Sequence, residues 1–395
     1  MSGMLNLDDR AGKKENSFFD FYTNRQEIMS AIHMRPAVRA FEPYSAGLSI
    51  DEIREKYGLD RIIKLASNEN PLGVSPQVQE VLHRMADHVF RYPQTGNPRL
   101  VRAIAAYHHV SPSRIVVGNG SDEIIDLLYR TCAEPGVNNA VAFRPCFGIY
   151  TTQAALCGVE LRQTPLNEDF SFPFDKLRAL VDENTALVFV TTPDNPSGHT
   201  ATAEELAQLA SSLPPTCLLV IDEAYMDFTD NEAEHSLLPQ LDKFPNVAIS
   251  RTFSKRFGMA GLRLGYIILP EDIAEHMWRI RLPFSVNLLA EEAGIAVLQD
   301  TSFMDETKRV VQAGRKYLSD ELRALGCRVY PSGSNFLMFE IPAGGKDAAG
   351  LFQALLERGL ILRPLTSYGL PRHLRVSIGT EEENTFLVSC LRELL

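Results

Sequence analysis

Three shortages narrow the field before any motif is considered. The six cysteines, Cys132, Cys146, Cys157, Cys217, Cys327 and Cys390, are scattered with no CxxC spacing. That pattern argues against a disulfide frame or a zinc site and for reduced thiols in a cytoplasmic setting. No apolar run approaches the roughly 20 residues that span a bilayer. The opening MSGMLNLDDR also lacks a basic stretch followed by an apolar core, so neither a membrane span nor a secretory signal is expected. Positive charge is the third shortage. Lys and Arg number 39 against 50 Asp and Glu, a net charge of -11 with no basic stripe, which argues against a nucleic-acid partner. Metal binding has one superficial candidate, His108-His109, but adjacent residues on a helix point apart and no third ligand stands nearby. No metal is expected.

What remains is a 395-residue chain, 45% hydrophobic, long enough for two domains. Residues 1–33 are mostly polar apart from Phe18-Phe19-Asp20-Phe21-Tyr22 and read as an arm or extension. Downstream, short β-branched runs alternate with helix-period stretches. The runs fall at Arg114–Val117, Ala140–Phe143, Ala186–Val190, Cys217–Ile221, Val247–Ile249 and Tyr266–Leu269. Helices are expected at Ser121–Cys132, Ile149–Cys157 and Ala203–Ser211. Such alternation predicts a largely parallel sheet covered by helices on both faces, with ligands beyond the carboxyl ends of the strands. After a long helix around Thr301–Leu325, a second pattern begins. Its strands are expected at Arg328–Tyr330, Asn335–Glu340 and Leu374–Ile378, with Lys346–Arg358 helical between them. The domain expectation is therefore 67–300 as a large domain, with 34–66 and 301–395 as a small one.

Four polar motifs fall at strand ends. Ser250-Arg-Thr-Phe-Ser254-Lys255-Arg256 places a lysine among hydroxyls, with Arg263 eight residues on. Burial and neighbouring cations lower a lysine's pKa, and the neutral amine can condense with an aldehyde cofactor. Arg263, Ser254 and Thr252 are suitable phosphate donors; a solvated surface loop is the bland alternative. Asp222, in Val220-Ile-Asp222-Glu223-Ala-Tyr225, ends an apolar strand. In a pyridoxal-phosphate site such an aspartate keeps the pyridine nitrogen protonated, making the ring an electron sink. Otherwise it caps a strand–loop junction. Gly118-Asn-Gly120-Ser121-Asp122-Glu123 leads from strand to helix and offers N–H groups to a phosphate, or simple N-caps. It lacks the third glycine of a dinucleotide fingerprint and the GK[ST] of a P-loop. In Thr192-Pro193-Asp194-Asn195-Pro196-Ser197-Gly198 two prolines fix a turn that presents the Asn195 amide.

Taken in order, these phrases resemble fold-type I pyridoxal-phosphate (PLP) aminotransferases, and among them the histidinol-phosphate aminotransferase family. The resemblance runs from about Arg35 to Leu395. It is carried also by Ser67-Asn-Glu-Asn70-Pro-Leu-Gly73, Arg91-Tyr92-Pro93, Ala260-Gly-Leu-Arg263 and Leu374-Arg375-Val-Ser-Ile-Gly379. It implies a seven-stranded, mostly parallel sheet flanked by helices plus a smaller α/β domain. It also implies roles. Lys255 is similar to the lysine that holds the cofactor as a Schiff base and shuttles the proton. Asp222 resembles the pyridinium partner, with Asn195 and Tyr225 on the ring hydroxyl. Ser121, Asp122, Ser254 and Arg263 match phosphate-binding positions, and Phe147 the ring-stacking one. Tyr92 resembles a residue lent by the second subunit of a homodimer. Tyr44, Asn70, Arg363 and Arg375 fall in the substrate set, Arg375 for an anionic group, with Arg363 and Tyr44 for a phosphate or distal carboxylate.

The implied reaction is ping-pong transamination of histidinol phosphate with 2-oxoglutarate, giving imidazole acetol phosphate and glutamate in histidine biosynthesis. An aromatic or broad-specificity aminotransferase, a threonine-phosphate decarboxylase-like enzyme and a non-catalytic PLP-binding protein are the alternatives. Three positions depart from the family pattern: Phe147 for a tyrosine, Asp194 for an asparagine, and Arg256 for a small residue after the lysine.

Overall fold

The computed structural model describes residues 34–39, 50–344 and 346–395. The arm 1–33 and Tyr44 lie outside them. Contacts divide the chain into Met1–Pro43 and Tyr44–Leu395. Of the first unit only 34–39 is described, and Pro36–Arg39 is a single helical turn.

In the second unit, seven strands form one sheet. They are β2 (Ile115–Gly118), β3 (Asn139–Arg144), β4 (Glu160–Pro165), β5 (Thr185–Thr191), β6 (Leu218–Asp222), β7 (Val247–Thr252) and β8 (Gly265–Ile268). Their order is β2-β8-β7-β6-β5-β3-β4, and β8 alone runs antiparallel to its neighbours. The apolar runs that marked these strands follow from burial on both faces. On β5 and β6, Val188, Val190, Leu219 and Ile221 enter one core cluster, while Leu187, Phe189, Leu218 and Val220 enter the cluster on the other side. Helices cover both faces, so every residue is buried and strict alternation of polarity disappears. The edge strand β4 was not legible in the sequence for the opposite reason. Its residues ELRQTP are largely polar and mostly half-exposed, so hydrophobicity gives no signal there.

A four-stranded antiparallel sheet follows: β9 (Arg328–Val329), β10 (Phe336–Glu340), β12 (Arg363–Pro364) and β13 (His373–Ser377), in the order β12-β13-β10-β9. The helices Thr301–Ala324, Ala348–Leu356 and Glu381–Leu394 pack with it around Phe336, Phe339, Leu374 and Leu387. A parallel pair, β1 (Ile63–Lys64) and β11 (Leu360–Ile361), ties the residues ahead of the large sheet to this C-terminal part. Two-residue strands carry no readable period, and β1, β11 and β12 escaped the sequence reading for that reason. Among the described residues no helix is long and apolar enough to cross a membrane.

The topology brings polar strand ends together. Thr191 closes β5, Asp222 closes β6, and Thr252 closes β7. In register, Thr191 lies beside Asp222 and Asp222 beside Ser250. The loops that leave these ends carry Asn195, Tyr225 and Lys255.

Candidate active site

A cavity of about 160 Å³ opens at those strand ends. Its walls include Ser121, Asp122, Phe147, Asn195, Asp222, Tyr225, Thr252, Ser254, Lys255 and Arg263, ten of the positions singled out in the sequence, with Thr191 beside them. Lys255 Nζ donates to the Ser67 carbonyl at 3.1 Å and lies 5.7 Å from the centre of the Tyr225 ring. Burial, then the charge of Arg375 and, less strongly, that of Arg263, pull its ammonium down to about 8; Glu69 and Asp122 oppose them. A neutral amine is therefore accessible near physiological pH.

Asp222 is buried, and burial pushes its carboxyl up to about 6. Hydrogen bonds from the Tyr150 hydroxyl (2.8 Å) and the Ala224 N–H (3.2 Å) pull the other way, so it is anionic at neutral pH. Tyr225 keeps its proton because burial raises its pKa, and its hydroxyl accepts from Asn68 Nδ2 at 3.1 Å.

The Ser121 end of the cavity is shaped by glycines. Ser121 opens the helix Ser121–Cys132 after Gly120, which has φ +79°. A Cβ on Gly120 would stand 2.4 Å from Arg263 Nη2, and one on Gly265 would stand 2.6 Å from the Ser121 nitrogen. Arg263, itself left-handed at φ +56°, donates from Nη2 to Asp122 at 3.1 Å. Backbone N–H groups at a helix start, the hydroxyls of Ser121 and Ser254 and a guanidinium thus line one end of the cavity, packed close because Gly120 and Gly265 carry no side chains. That chemistry suits a phosphate monoester, and the whole wall fits pyridoxal phosphate.

Arg375, on β13, donates to Asn195 Oδ1 and to the Ala66 carbonyl, and packs on the Phe336 ring. With Oδ1 so engaged, Asn195 has its NH₂ group to present to a ligand oxygen. Arg363 pairs with Arg375 across β12 and β13, so both side chains project from one face of that sheet.

Neither Arg363 nor Arg375 is on the cavity wall itself, Arg375 reaching it through Asn195, and two more predicted residues stand elsewhere. Asn70 does not line the cavity; its amide donates to the Arg256 carbonyl (2.7 Å) and to Thr307 Oγ1 (3.2 Å), and accepts from the Leu72 N–H. It grips the loop that carries Lys255. Tyr92 is 80% exposed and stacks on Phe284 at 4.7 Å, away from the cavity wall. Tyr44 lies outside the described residues. His108, the metal candidate, bonds Tyr266 through Nε2 at 2.6 Å.

The departures from the family pattern also have a physical account. Phe147 stays on the cavity wall. Asp194 is buried, and its Oδ2 accepts from the Ser197 hydroxyl and N–H and closes the turn. Arg256 turns from the cavity to Asp227 (3.3 Å) and Asp305 (3.4 Å). Asp227 belongs to a buried network in which Arg251 binds Glu223 at 2.6 Å and Glu232 at 2.5 Å. The extra cation is thus neutralised within the scaffold. Sequence reasoning missed Tyr150, Thr191 and Asn68. Only the spacing of Tyr150 one turn after Phe147 could have flagged any of them.

With the geometry in place, the relatives are informative. The family described as aminotransferase class I and II matches residues 60–391. A histidinol-phosphate aminotransferase from Nitratidesulfovibrio vulgaris is 61% identical over 92% of this chain and 96% of that protein. Another, from Oleidesulfovibrio alaskensis, is 56% identical over 93% and 96%. Among solved structures, the histidinol-phosphate aminotransferase of Sinorhizobium meliloti in complex with pyridoxal-5'-phosphate superposes with a TM-score of 0.82. It is 27% identical and covers 93% of this chain and 100% of that one. The chain belongs to the class I and II aminotransferases of fold-type I and, among them, to the histidinol-phosphate aminotransferase family.

Proposed function

We propose that this chain binds pyridoxal phosphate at Lys255 and transfers an amino group between histidinol phosphate and 2-oxoglutarate, a step of histidine biosynthesis in the cytoplasm. The observation that carries the cofactor reading is the joint placement of a depressed lysine, a buried aspartate and a phosphate-shaped cradle on one wall. The substrate reading rests on 61% identity to proteins named for that reaction.

When bound, the cofactor supplies an aldehyde and a protonated ring that draws electrons from the substrate's Cα. The residues supply the rest. Ser121, Ser254 and Arg263, with Asp122 holding the guanidinium, bind the phosphate. Asp222 would pair its negative charge with the ring nitrogen, and Phe147 would stack on the ring. Tyr225 and the Asn195 NH₂ donate to the ring oxygen. Lys255 Nζ would hold the cofactor, and as a free amine it would accept the substrate's Cα proton and return it. Arg375 holds the substrate's anionic group, and Arg363 and Tyr44 complete a site for the distal phosphate. Asn70 serves the substrate site by fixing the Lys255–Arg256 backbone.

We assign residues 67–300 to a large cofactor domain, and 34–66 with 301–395 to a small one; the β1–β11 pairing supports that grouping. A homodimer with shared sites is proposed as well. Tyr92 lies in an exposed apolar cluster with Val89, Phe90, Leu282 and Phe284, the kind of patch a second copy covers.

The test of substrate compares histidinol phosphate with phenylalanine and threonine phosphate as amino donors. Histidinol phosphate should be the preferred donor. Arg363→Ala should weaken it by about 2–4 kcal/mol, the scale for breaking a charged pair, and leave phenylalanine much less affected. Equal losses for both would make Arg363 structural. No turnover of histidinol phosphate by the unmodified protein would move the reading to an aromatic aminotransferase.

A further inference from the structure

Asp222 is held by a residue that never touches the cavity. Tyr150, the third residue of the helix Gly148–Cys157, is 1% exposed and absent from the cavity wall. Its ring stacks on Phe189 at 4.6 Å, and its backbone carbonyl accepts from the Tyr129 hydroxyl at 3.1 Å. These contacts fix where the hydroxyl points. That hydroxyl lies 2.8 Å from Asp222 Oδ2 and 2.7 Å from Thr191 Oγ1.

A phenol has one proton to give. An anionic carboxylate accepts only, so the Tyr150 proton goes to Asp222 and Thr191 must donate to the Tyr150 oxygen. The result is a directed chain, Thr191 to Tyr150 to Asp222, within a largely apolar layer. Such a chain strengthens each of its bonds. It also locks the carboxylate plane, because the Ala224 N–H holds Oδ1 while Tyr150 holds Oδ2. A phenylalanine would fill the same space without a buried hydroxyl to satisfy. The helix that aims Tyr150 is capped at its start by Phe147, whose ring meets Tyr150 edge-on at 5.9 Å.

We propose that Tyr150, backed by Thr191, is a positioning residue for amino transfer: it orients the Asp222 carboxylate and keeps it ionised toward the pyridine nitrogen. This rests on the reading that Asp222 pairs with that nitrogen. Without Tyr150, burial acts on Asp222 with less opposition, and a carboxyl that holds its own proton cannot stabilise a second one on the ring. Lys255 and Asp122 are the other charged groups acting on Asp222, and both are kept in the variants below.

The test is a double-mutant cycle on cofactor binding. Pyridoxal phosphate is titrated, by fluorescence, into the cofactor-free protein carrying Tyr150→Phe, Asp222→Ala or both. The pH midpoint of the bound cofactor's visible absorbance is then recorded for each. Tyr150→Phe should weaken binding about tenfold, the scale of a hydrogen bond to a charged group, and raise the midpoint in the same direction as Asp222→Ala. A less protonated ring withdraws fewer electrons from the conjugated group, so that group holds its proton to higher pH. In the Asp222→Ala background the hydroxyl should make no further difference. Thr191→Val should move both readouts the same way by less. An equal loss from Tyr150→Phe in both backgrounds, or an unmoved midpoint, overturns the proposal and makes Tyr150 packing. If Asp222→Ala alone binds and titrates like the unmodified protein, the pairing of Asp222 with the ring falls, and this inference with it.

Discussion

Lys255 sits under pressures that a stability-optimised protein would avoid. Its amine is largely enclosed and feels the charges of Arg375 and Arg263, and its pKa drops from 10.5 to about 8. Between those values the unfolded chain binds the proton that the folded chain has lost, so stability rises with pH through that window. Below about pH 8 the full cost is present. Replacing Lys255 by methionine should therefore stabilise the cofactor-free protein at pH 7 by up to about 3 kcal/mol, at 1.36 kcal/mol per pKa unit. The gain should shrink as pH climbs toward 10.5, as urea unfolding at several pH values would show. A variant no more stable than its parent would mean that burial does not penalise this charge. Such strain at a functional group is why Lys255 and Asp222 were legible in the sequence: a charge at the end of an apolar strand has no packing role. Tyr150, Thr191 and Asn68 were not legible. A tyrosine, a threonine or an asparagine fits a core, a strand end or a turn, and only the fold shows which atom its polar group meets.

At the scale of elements, both-face burial made the central strands readable and polarity hid the edge strand β4. Glycine-rich turns were readable as phosphate cradles but not as such alone, since Gly118 and Gly120 match no complete fingerprint. The decisive partner is Gly265, far along the chain, which lets β8 pass against the start of the helix at Ser121. Its absent Cβ would stand 2.6 Å from the Ser121 nitrogen and 2.7 Å from the Gly120 carbonyl carbon. Gly265→Ala must push that helix start away, and overpacking of this kind costs about 1–3 kcal/mol. The loss should fall on the phosphate. Pyridoxal phosphate should bind much more weakly to the variant, and pyridoxal, which lacks the phosphate, about as before. Equal weakening of both, in parallel titrations, would remove the cradle from the phosphate.

At the scale of the whole molecule, the apolar cluster around Tyr92 stands out among the described residues. Phe90 is 72% exposed, Leu282 64% and Tyr92 80%, which isolated surface residues do not require. Sedimentation should find a dimer, and mixing inactive Lys255→Ala with impaired Tyr92→Phe protein should restore part of the activity through hybrid sites. A fully active monomer would contradict the shared-site arrangement. Covalent trapping tests most directly the proposal that Lys255 holds one aldehyde cofactor in this fold. Borohydride reduction of the protein loaded with pyridoxal phosphate, followed by peptide mass spectrometry, should place the reduced adduct on Lys255 and on no other lysine. An adduct on a different lysine, or none, would contradict it.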